Sequence, residues 1–456
     1  MYQKKYSVLG AATVLLTVFG STGVALADAA ATPATLPKPV ISSTIPLQVP
    51  PRPAGLSPTD SRPYFDVFSW ETFLALNWPA KQGARGVPVQ PNKPSVFLKA
   101  SNTTPLVWGS YKEAYELFGT GTKTPTPWSS FDVPVDPCGT AAPSIKRLTK
   151  VTKPDNLVDE VNQAFSYPLI DQNKNYVYAE VRFNQSYYDY VLNNGYYLLK
   201  NLAVGQRSKT GIVMPASAAP NTPGAMMLKA SWRQLIKGKD DFSRYYVVNA
   251  QVLNPDTKTC STQTMGLVGF HIGYKLAEFP QWIWSTFEQV DNVQRGHGAS
   301  STTPISFNNG TDDPKTVGGY ADRPDNQAPP LQPVDQRVSA QITRYNPIPT
   351  TPAGTSTVDL NNVYQAVLKG TAWEFYELVM TQWPSNPTQY QLMENGGVYP
   401  QDAGGAFPVN GAINTSMESF VQSPEDAAGA GGNSCMSCHY RASQSDFSWA
   451  LQGRAH

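Results

Sequence analysis

Residues 245–275 read YYVVNAQVLNPDTKTCSTQTMGLVGFHIGYK and decide the fold class of this 456-residue chain. Two stretches rich in strand-forming residues, Tyr245–Leu253 and Met265–Lys275, lie on either side of the turn-forming Asn254–Thr257. Such stretches, separated by Asn, Pro and Asp, predict consecutive strands of a meander. Two more strands are predicted upstream, at Asn175–Phe183 and Met226–Trp232.

Helical patterns lie before, between and after these strands. Apolar residues recur at helical spacing from Asp66 to Leu76, and Asn77-Trp78-Pro79 ends the pattern. Further helices are predicted at Tyr111–Phe118, Gln185–Asn194, Gln281–Asn292, Leu360–Trp383 and Thr415–Gln422. Strands and helices mixed along one chain predict an α+β fold, here a large, loop-rich domain.

The composition narrows the class of protein. Hydrophobic residues make up 41% of the chain, enough for a sizeable core, and 35 basic side chains balance 34 acidic ones. This balance gives no electrostatic reason to expect binding to nucleic acid or to an anionic membrane surface. The 40 prolines and 23 tyrosines indicate a loop-rich protein from outside the cytoplasm.

The first residues have the features of an export signal. Lys4 and Lys5 precede a short apolar run, Val8–Phe19, and small residues lead to Ala27. This order predicts a signal peptide over 1–27, cleaved after Ala27, and a periplasmic or secreted protein. The apolar run is too short to span a bilayer comfortably, and no later stretch is long enough, so no stable membrane span is expected.

The rest of the chain divides by composition into three parts. Residues 28–60 are rich in proline and predict an extended, semi-rigid leader. Residues 61–430 hold the predicted strands and helices and form the main domain. Residues 431–456 form a short segment that carries the clearest chemical motif of the chain.

That motif is Cys435-Met436-Ser437-Cys438-His439, a C-x-x-C-H sequence. In c-type haem attachment the two thiols add to the haem vinyl groups and the histidine ligates the iron, so the motif predicts one covalent haem c. A redox-active C-x-x-C is less favoured, because no thioredoxin-like βαβ pattern surrounds it. A zinc site is also less favoured, because it requires two more ligands at matched spacing.

The position of the motif affects the expected fold. Only 17 residues follow His439, and none of them is methionine. A small globular cytochrome c wraps its haem with a longer downstream chain that includes a distal methionine. We therefore expect a fold other than the small cytochrome c, with the haem carried on residues 431–456 and packed against the main domain.

The second axial ligand of the iron then comes from upstream or is absent. His271 lies in Gly269–Gly273 on a predicted strand, and Met417 lies on a predicted helix. Each is a candidate distal ligand, although core packing is the commoner explanation for either residue. The weaker candidates are Met380, Met393, His297 and His456. An open distal site remains the alternative.

The aromatic stretch Gln281–Asn292 contains two acids, Glu288 and Asp291. We interpret it as a buried helix whose acids pair with neighbouring groups. The functional alternative is a wall facing the haem, with the carboxylates serving in proton transfer.

Two cysteines lie outside the motif, Cys138 and Cys260. In an oxidising compartment two remaining cysteines most simply pair with each other, so we predict a structural disulfide between them.

Three stretches of the chain resemble bacterial proteins described as cytochrome c family proteins. They are Phe68–Pro79, the segment from His271 to Asn292, and Asn433–His439. The resemblance implies a periplasmic protein of about this size with one c-type haem. The family often has Glu-His where this chain has Glu288-Gln289, which weakens any catalytic role for this pair.

Two functions follow as hypotheses. The first is a periplasmic electron carrier whose haem iron has two protein ligands and which exchanges electrons with a redox partner protein. The second is a haem-dependent oxidoreductase with an open or displaceable sixth position that acts on a small-molecule substrate. A protein in which the haem is structural or sensory is a weaker third possibility.

Overall fold

The computed structural model describes residues 38–119, 121–131, 138, 146–148, 163, 167–208, 211–254, 256–293, 305–309, 326, 338–387, 391–392, 398–399, 405–409, 411, 413–422 and 434–455. The signal sequence, Met393, His297 and His456 lie outside these residues. The described residues from 38 onward all belong to a single compact unit.

Helices and strands are mixed along the described chain. The helices are α1 Pro58–Leu76, α2 Pro94–Leu98, α3 Ala114–Phe118, α4 Gln185–Asn193, α5 Leu199–Gln206, α6 Thr357–Val367, α7 Cys435–His439 and α8 Trp449–Arg454. The strands are β1 Lys112–Glu113, β2 Lys146–Leu148, β3 Tyr178–Phe183, β4 Met226–Gln234, β5 Val247–Leu253, β6 Cys260–Leu276, β7 Phe279–Gln289, β8 Tyr376–Pro384, β9 Gln391–Leu392, β10 Val398–Tyr399 and β11 Ala406–Phe407.

One mixed, mainly antiparallel sheet organises the molecule. Within the described residues its strands follow the order β1-β3-β4-β6-β7-β8-β11, with β5 also paired to β6 and β2 paired in parallel to β5. The meander predicted for residues 245–275 is present as the antiparallel pair β5 and β6. The fold is therefore α+β, as predicted, and it is not the small cytochrome c fold.

One face of the sheet packs against α1 and α6. Ser57 caps α1 and Pro58 suits its first turn, so the helix begins earlier than the predicted Asp66. Aromatic contacts join the helix to the sheet: the Phe73 ring stacks on Phe287 with centroids 4.2 Å apart. This apolar layer forms the main core of the protein.

The other face of the sheet is covered by two segments near the C-terminus, residues 413–422 and 434–455. On this face the long strand β6 presents small or polar residues at alternate positions, Gly269, His271 and Gly273. The alternation of side chains in the strand therefore separates the aromatic core on one face from the layer formed with the C-terminal segments on the other.

Two predicted helices are strands. The stretch Gln281–Asn292 contains most of β7, and the second half of Leu360–Trp383 forms β8. Both strands are buried on both faces, so they lack the alternation that distinguishes a half-buried strand from a helix. The predicted helix Thr415–Gln422 is also wrong: this segment contains only a short 3₁₀ turn, Ser419–Val421.

The predicted leader differs from the structure over residues 38–60. Val49 is buried, and the carbonyl of Leu47 accepts a hydrogen bond of 2.7 Å from Ser217 Oγ. This part of the chain therefore lies against the main unit rather than preceding it as a separate leader. Residues 28–37 lie outside the described residues.

The predicted disulfide is present. Cys138 and Cys260 are bonded, with their Cα atoms 5.7 Å apart. The bond ties the first residue of β6 to the chain that leads toward β2.

No helix among the described residues combines the length and the apolar character that crossing a membrane requires.

Candidate haem-attachment site

The C-x-x-C-H motif forms the one-turn helix α7. Ser434 caps its first turn, because Ser434 Oγ accepts from the backbone N–H of Ser437 at 3.3 Å. The N–H of Met436 donates to Gln382 Oε1 on β8 at 2.7 Å, which fixes the turn to the sheet. Cys435 and Cys438 are both in the thiol form, three residues apart and so on one side of the turn.

Both thiols are held in the protonated form. Burial raises the pKa of Cys435 and of Cys438, and the negative charge of Glu418 raises both further. Redox-active C-x-x-C motifs have the opposite property, since their attacking thiol has a lowered pKa. The raised pKa values therefore do not favour a dithiol catalyst at this motif.

The imidazole of His439 has a defined orientation and tautomer. Its Nδ1 lies 2.6 Å from the carbonyl oxygen of Phe447. A carbonyl can only accept, so Nδ1 carries the proton and Nε2 carries the free electron pair. Burial lowers the pKa of His439 to about 4, so the ring is neutral at pH 7. A neutral imidazole with a free Nε2 is the form that ligates iron.

The indole of Trp284 on β7 supports the same imidazole. The ring centroids of Trp284 and His439 are 4.1 Å apart. The strand residue opposite Trp284 is Gly273, and a Cβ at that position would lie 3.0 Å from the indole. Because Gly273 has no side chain, the Trp284 indole has the space to pack against His439.

The turn that supplies the Phe447 carbonyl has an uncommon backbone. Asp446 has φ 51° and Phe447 has φ 64°, both in the left-handed region, which costs about 1–2 kcal/mol per non-glycine residue. The buried carboxylate of Asp446 holds the turn: it accepts from Met214 N at 2.6 Å and from Trp282 Nε1 at 3.2 Å, and it pairs closely with Lys275 Nζ.

A cluster of polar side chains lies on the same face of the sheet. Lys229, His271 and Thr286 stand side by side on three neighbouring strands. The Glu418 carboxylate lies over this row, with its oxygens 2.9 and 3.0 Å from His271 Nε2 and 3.9 Å from Lys229 Nζ. The three side chains are about one fifth exposed, at 24% for Lys229, 19% for His271 and 21% for Glu418.

This cluster lies within electrostatic range of the motif. The charges of His271 and Lys229 contribute to lowering the pKa of His439, and Glu418 acts on both thiols. The structure thus brings the predicted candidate His271 into the neighbourhood of the attachment motif. Because His271 Nε2 is hydrogen-bonded to Glu418, that nitrogen could ligate iron only after this hydrogen bond breaks.

Met417 has a different environment. It is buried and lines a small cavity with Tyr178, Lys229 and Ser231, and no residue of the motif lines that cavity. Its position gives no support for iron ligation. The weaker candidate Met380 lies closer to the motif, because Cys435 packs against the pair Val379 and Met380.

The two acids of the aromatic stretch serve separate structural roles. Glu288 accepts from Thr415 N at 2.5 Å and pairs with Arg344, while Asp291 pairs with Arg244 at 2.7 Å. Pairing with neighbours agrees with the favoured interpretation, although the acids belong to a strand and its following turn. They do not form a carboxylate pair for proton transfer.

The donor set of the motif fits a covalently attached haem. Within the described residues there is no group of three or more His, Cys, Asp or Glu side chains arranged to hold a metal ion. A surface cavity of about 300 Å³ lies elsewhere, between residues 52–56 and 383–385. The fitting features are the two protonated thiols on one turn and the oriented, neutral His439.

Two residues near the motif, Glu418 and Asp446, were not apparent in the sequence. Trp284, which packs on His439, lies in the aromatic stretch whose alternative interpretation was a wall facing the haem. Glu418 acts on both thiols from the 413–422 segment, and Asp446 lies in the final turn. The alternation of Trp282 and Trp284 would have pointed to one face of a strand, had the stretch been recognised as a strand. Glu418 and Asp446 carry no local signal, because their partners are distant in the chain.

Comparison of the chain with protein-family models, curated proteins and solved structures finds no match.

Proposed function

We propose that this protein is an exported c-type cytochrome that binds one haem through Cys435 and Cys438 and transfers electrons to or from a redox partner protein. The observation that carries the proposal is the 2.6 Å contact between His439 Nδ1 and the Phe447 carbonyl, which leaves Nε2 free as an axial ligand. Hydrogen bonding of the second ring nitrogen is the usual second-shell support of a ligating histidine. Bound haem would supply the one-electron chemistry.

The chain's own residues would hold and orient this group. Cys435 and Cys438 would form the two thioether links, and His439 would ligate the iron. Trp284 and the Phe447 carbonyl keep the imidazole in one plane and one tautomer. The predicted signal peptide supports this proposal, because it would deliver the chain to the periplasm, where such haem is attached.

The test is covalent haem attachment in a host that matures c-type cytochromes. We expect the purified protein to keep one haem after denaturation and to lose it in Cys435→Ser combined with Cys438→Ser. The matched control is Cys138→Ser combined with Cys260→Ser, which removes the same number of cysteines away from the motif and should retain the haem. A parent protein without covalent haem, or a serine variant that keeps it, would contradict the proposal.

A second candidate function is a haem-dependent oxidoreductase acting on a small-molecule substrate. The observation that favours it is the partly exposed pair of His271 and Glu418, with oxygens and Nε2 2.9–3.0 Å apart, near the motif. A histidine bonded to a carboxylate can move protons to and from a bound substrate. In the oxidoreductase the pair would donate protons beside an open iron site. In the electron carrier His271 would be the distal ligand after release of Glu418.

Optical and EPR spectra of the ferric protein distinguish the two functions. The electron-carrier proposal predicts a low-spin spectrum that added cyanide leaves unchanged. The oxidoreductase predicts a high-spin spectrum that cyanide shifts. Replacing His271 by Ala assigns the distal role: we expect loss of the low-spin spectrum if His271 ligates, and an unchanged spectrum if it does not.

A further inference from the structure

A buried carboxylate lies at the centre of the turn that orients His439. Asp446 is 4% exposed, and its partners Lys275 and Trp282 are 3% and 0% exposed. The carboxylate accepts from a backbone N–H, from the Trp282 indole and from the Lys275 ammonium. These partners belong to three different parts of the sheet domain, so the carboxylate ties the final turn to the sheet.

The same turn contains backbone that L-residues rarely adopt. Asp446 and Phe447 in the turn have φ of 51° and 64°, and Trp282 on β7, which donates to Asp446, has φ of 71°. Residues in the left-handed region persist only where surrounding contacts hold them, and such residues gather at functional sites. Here two of them determine where the Phe447 carbonyl points, and that carbonyl meets His439 Nδ1 at 2.6 Å.

Further contacts hold both ends of the turn. Tyr187 and Ser448 share a hydrogen bond of 2.6 Å, and Gln206 Nε2 donates to Ser445 Oγ at 2.9 Å. Neither contact involves the Phe447 carbonyl. Backbone hydrogen bonds of 3.0 Å from Asp446 N to Ser443 O and from Phe447 N to Ala442 O close the turn on itself. The carboxylate of Asp446 is the side-chain group that joins these central residues to β6 and β7.

We infer that Asp446, paired with Lys275, is a positioning residue for His439: it holds the left-handed turn whose carbonyl selects the Nδ1–H tautomer and presents Nε2 as the axial ligand. Neither residue touches the imidazole. The effect on iron ligation rests on the proposed function. The effect on the His439 tautomer follows from the protein alone and can be measured without haem.

The first experiment measures the tautomer without haem. In the full chain carrying Cys435→Ser and Cys438→Ser, ¹⁵N NMR at pH 7 reports the protonated nitrogen of each histidine ring; the chain has four, and a His439→Gln spectrum assigns this one. We expect His439 to be in the Nδ1–H form in this parent protein. A parent in the Nε2–H form would overturn the inference.

The test variant is Asp446→Ala with Lys275→Met. Removing both charges avoids leaving an unpaired ammonium in the interior. Alanine disfavours the left-handed conformation, so the turn should relax, and we expect about a tenfold fall in the ratio of Nδ1–H to Nε2–H forms of His439.

If the alanine variant does not fold, a second variant with glycine at position 446 takes its place. In Asp446→Gly with Lys275→Met the glycine accepts the left-handed backbone, so a smaller but measurable fall is expected. An unchanged tautomer in either folded variant would overturn the inference.

A matched control separates positioning from lost stability. Lys112→Met with Glu116→Gln removes another buried ion pair, with Nζ and Oε1 3.1 Å apart, far along the chain from the motif. We expect this control to lose stability and to leave the His439 tautomer unchanged. If the control moves the tautomer as far as the Asp446 variants do, the effect is general loosening and the inference is wrong.

The second experiment uses the haem-bearing protein with intact cysteines. A weaker bond at Nδ1 makes the imidazole a poorer donor to ferric iron. We expect Asp446→Ala with Lys275→Met to raise the ratio of reduced to oxidised protein about tenfold at a given potential, which is ~59 mV for a one-electron couple. Failure of haem attachment in the parent would contradict the proposed function, whereas the tautomer measurement decides this inference independently.

Discussion

At the scale of single residues, Gly269 determines how closely the 413–422 segment approaches the sheet. A Cβ at this position would lie 2.2 Å from Ser416 Oγ, 2.7 Å from Ser231 Oγ and 2.8 Å from Asn414 Oδ1. The absence of a side chain at Gly269 lets the segment lie directly on β6, two residues from His271. Glu418 reaches His271 because of this close approach.

We therefore expect Gly269→Ala to push the 413–422 segment away from β6. Overpacking of a filled interior costs about 1–3 kcal/mol, so the free energy of unfolding in urea should fall by that amount. The control is Gly453→Ala in α8, where nothing lies within 4 Å of the added Cβ. That variant should be unchanged or slightly more stable, because alanine suits a helix better than glycine. Equal effects of the two substitutions would contradict the close-approach argument.

At the scale of secondary-structure elements, α1 is joined to its neighbours by a buried carboxylate. Asp66 is fully buried and accepts hydrogen bonds of 2.7 Å from Thr357 on α6 and Thr381 on β8. Burial raises the pKa of Asp66 to about 6, against the lowering effect of the two hydroxyls and of Arg62. The folded protein is therefore most stable when the Asp66 carboxyl on this helix is protonated and neutral.

The stability of the protein should consequently depend on pH through Asp66. The folded state holds this proton up to about pH 6, and the unfolded chain releases it near 3.8. Stability should thus rise as pH falls from about 6 toward 4 and should level off outside that range. The size of this contribution is about 2–3 kcal/mol.

Substituting Asp66→Asn should remove this contribution. We expect denaturant unfolding curves measured from pH 4 to pH 7 to show a weaker pH dependence in the variant than in the parent. Asp60→Asn, at an exposed acid in the first turn of the same helix, is the control and should keep the parent's dependence. Asp171, whose pKa burial also raises to about 6, keeps part of the dependence in both variants. Parallel curves for parent and Asp66→Asn would refute the assignment.

At the scale of the whole molecule, the disulfide constrains a large part of the chain. Cys138 and Cys260 are 122 residues apart in sequence, so the bond closes a loop that contains β2 to β5. Closing a loop of this length reduces the entropy of the unfolded chain, and the expected stabilisation is about 5 kcal/mol.

Replacing both cysteines by serine should lower the urea midpoint of unfolding accordingly. Adding a reductant should lower the midpoint of the parent toward that of Cys138→Ser combined with Cys260→Ser, and should leave the variant itself unchanged. The two thiols of the motif remain in both proteins, so they do not contribute to the difference. A parent and a variant with the same midpoint would show that the bond contributes nothing to stability.

Also at this scale, the two faces of one sheet serve different purposes. The face toward α1 and α6 is filled by the aromatic core, and the opposite face carries Lys229, His271 and Trp284 beneath the C-terminal segments. The sheet thus forms one broad surface on which the one-turn helix α7 is held. The proposed haem would thus be attached to the large domain rather than to a small cytochrome module.

The sequence by itself determined the features that depend on local or covalent chemistry. The spacing of Cys435, Cys438 and His439 predicts haem attachment, because one turn of chain is all that the motif requires. The pairing of Cys138 with Cys260 followed from the number of remaining cysteines, and the structure confirms it. The meander of β5 and β6 followed from strand-forming residues around an Asn-Pro-Asp turn, and α4 from its local helical pattern.

Only the tertiary structure decided which side chains surround the motif. Register placed His271 beside Lys229 and Thr286, and the return of the chain brought Glu418 over them. β7 was not recognisable, because a strand buried on both faces has no alternation of apolar and polar residues. The partners of the buried Asp446 carboxylate also lie far away in sequence, and such long-range contacts leave no local pattern from which the sequence could predict them.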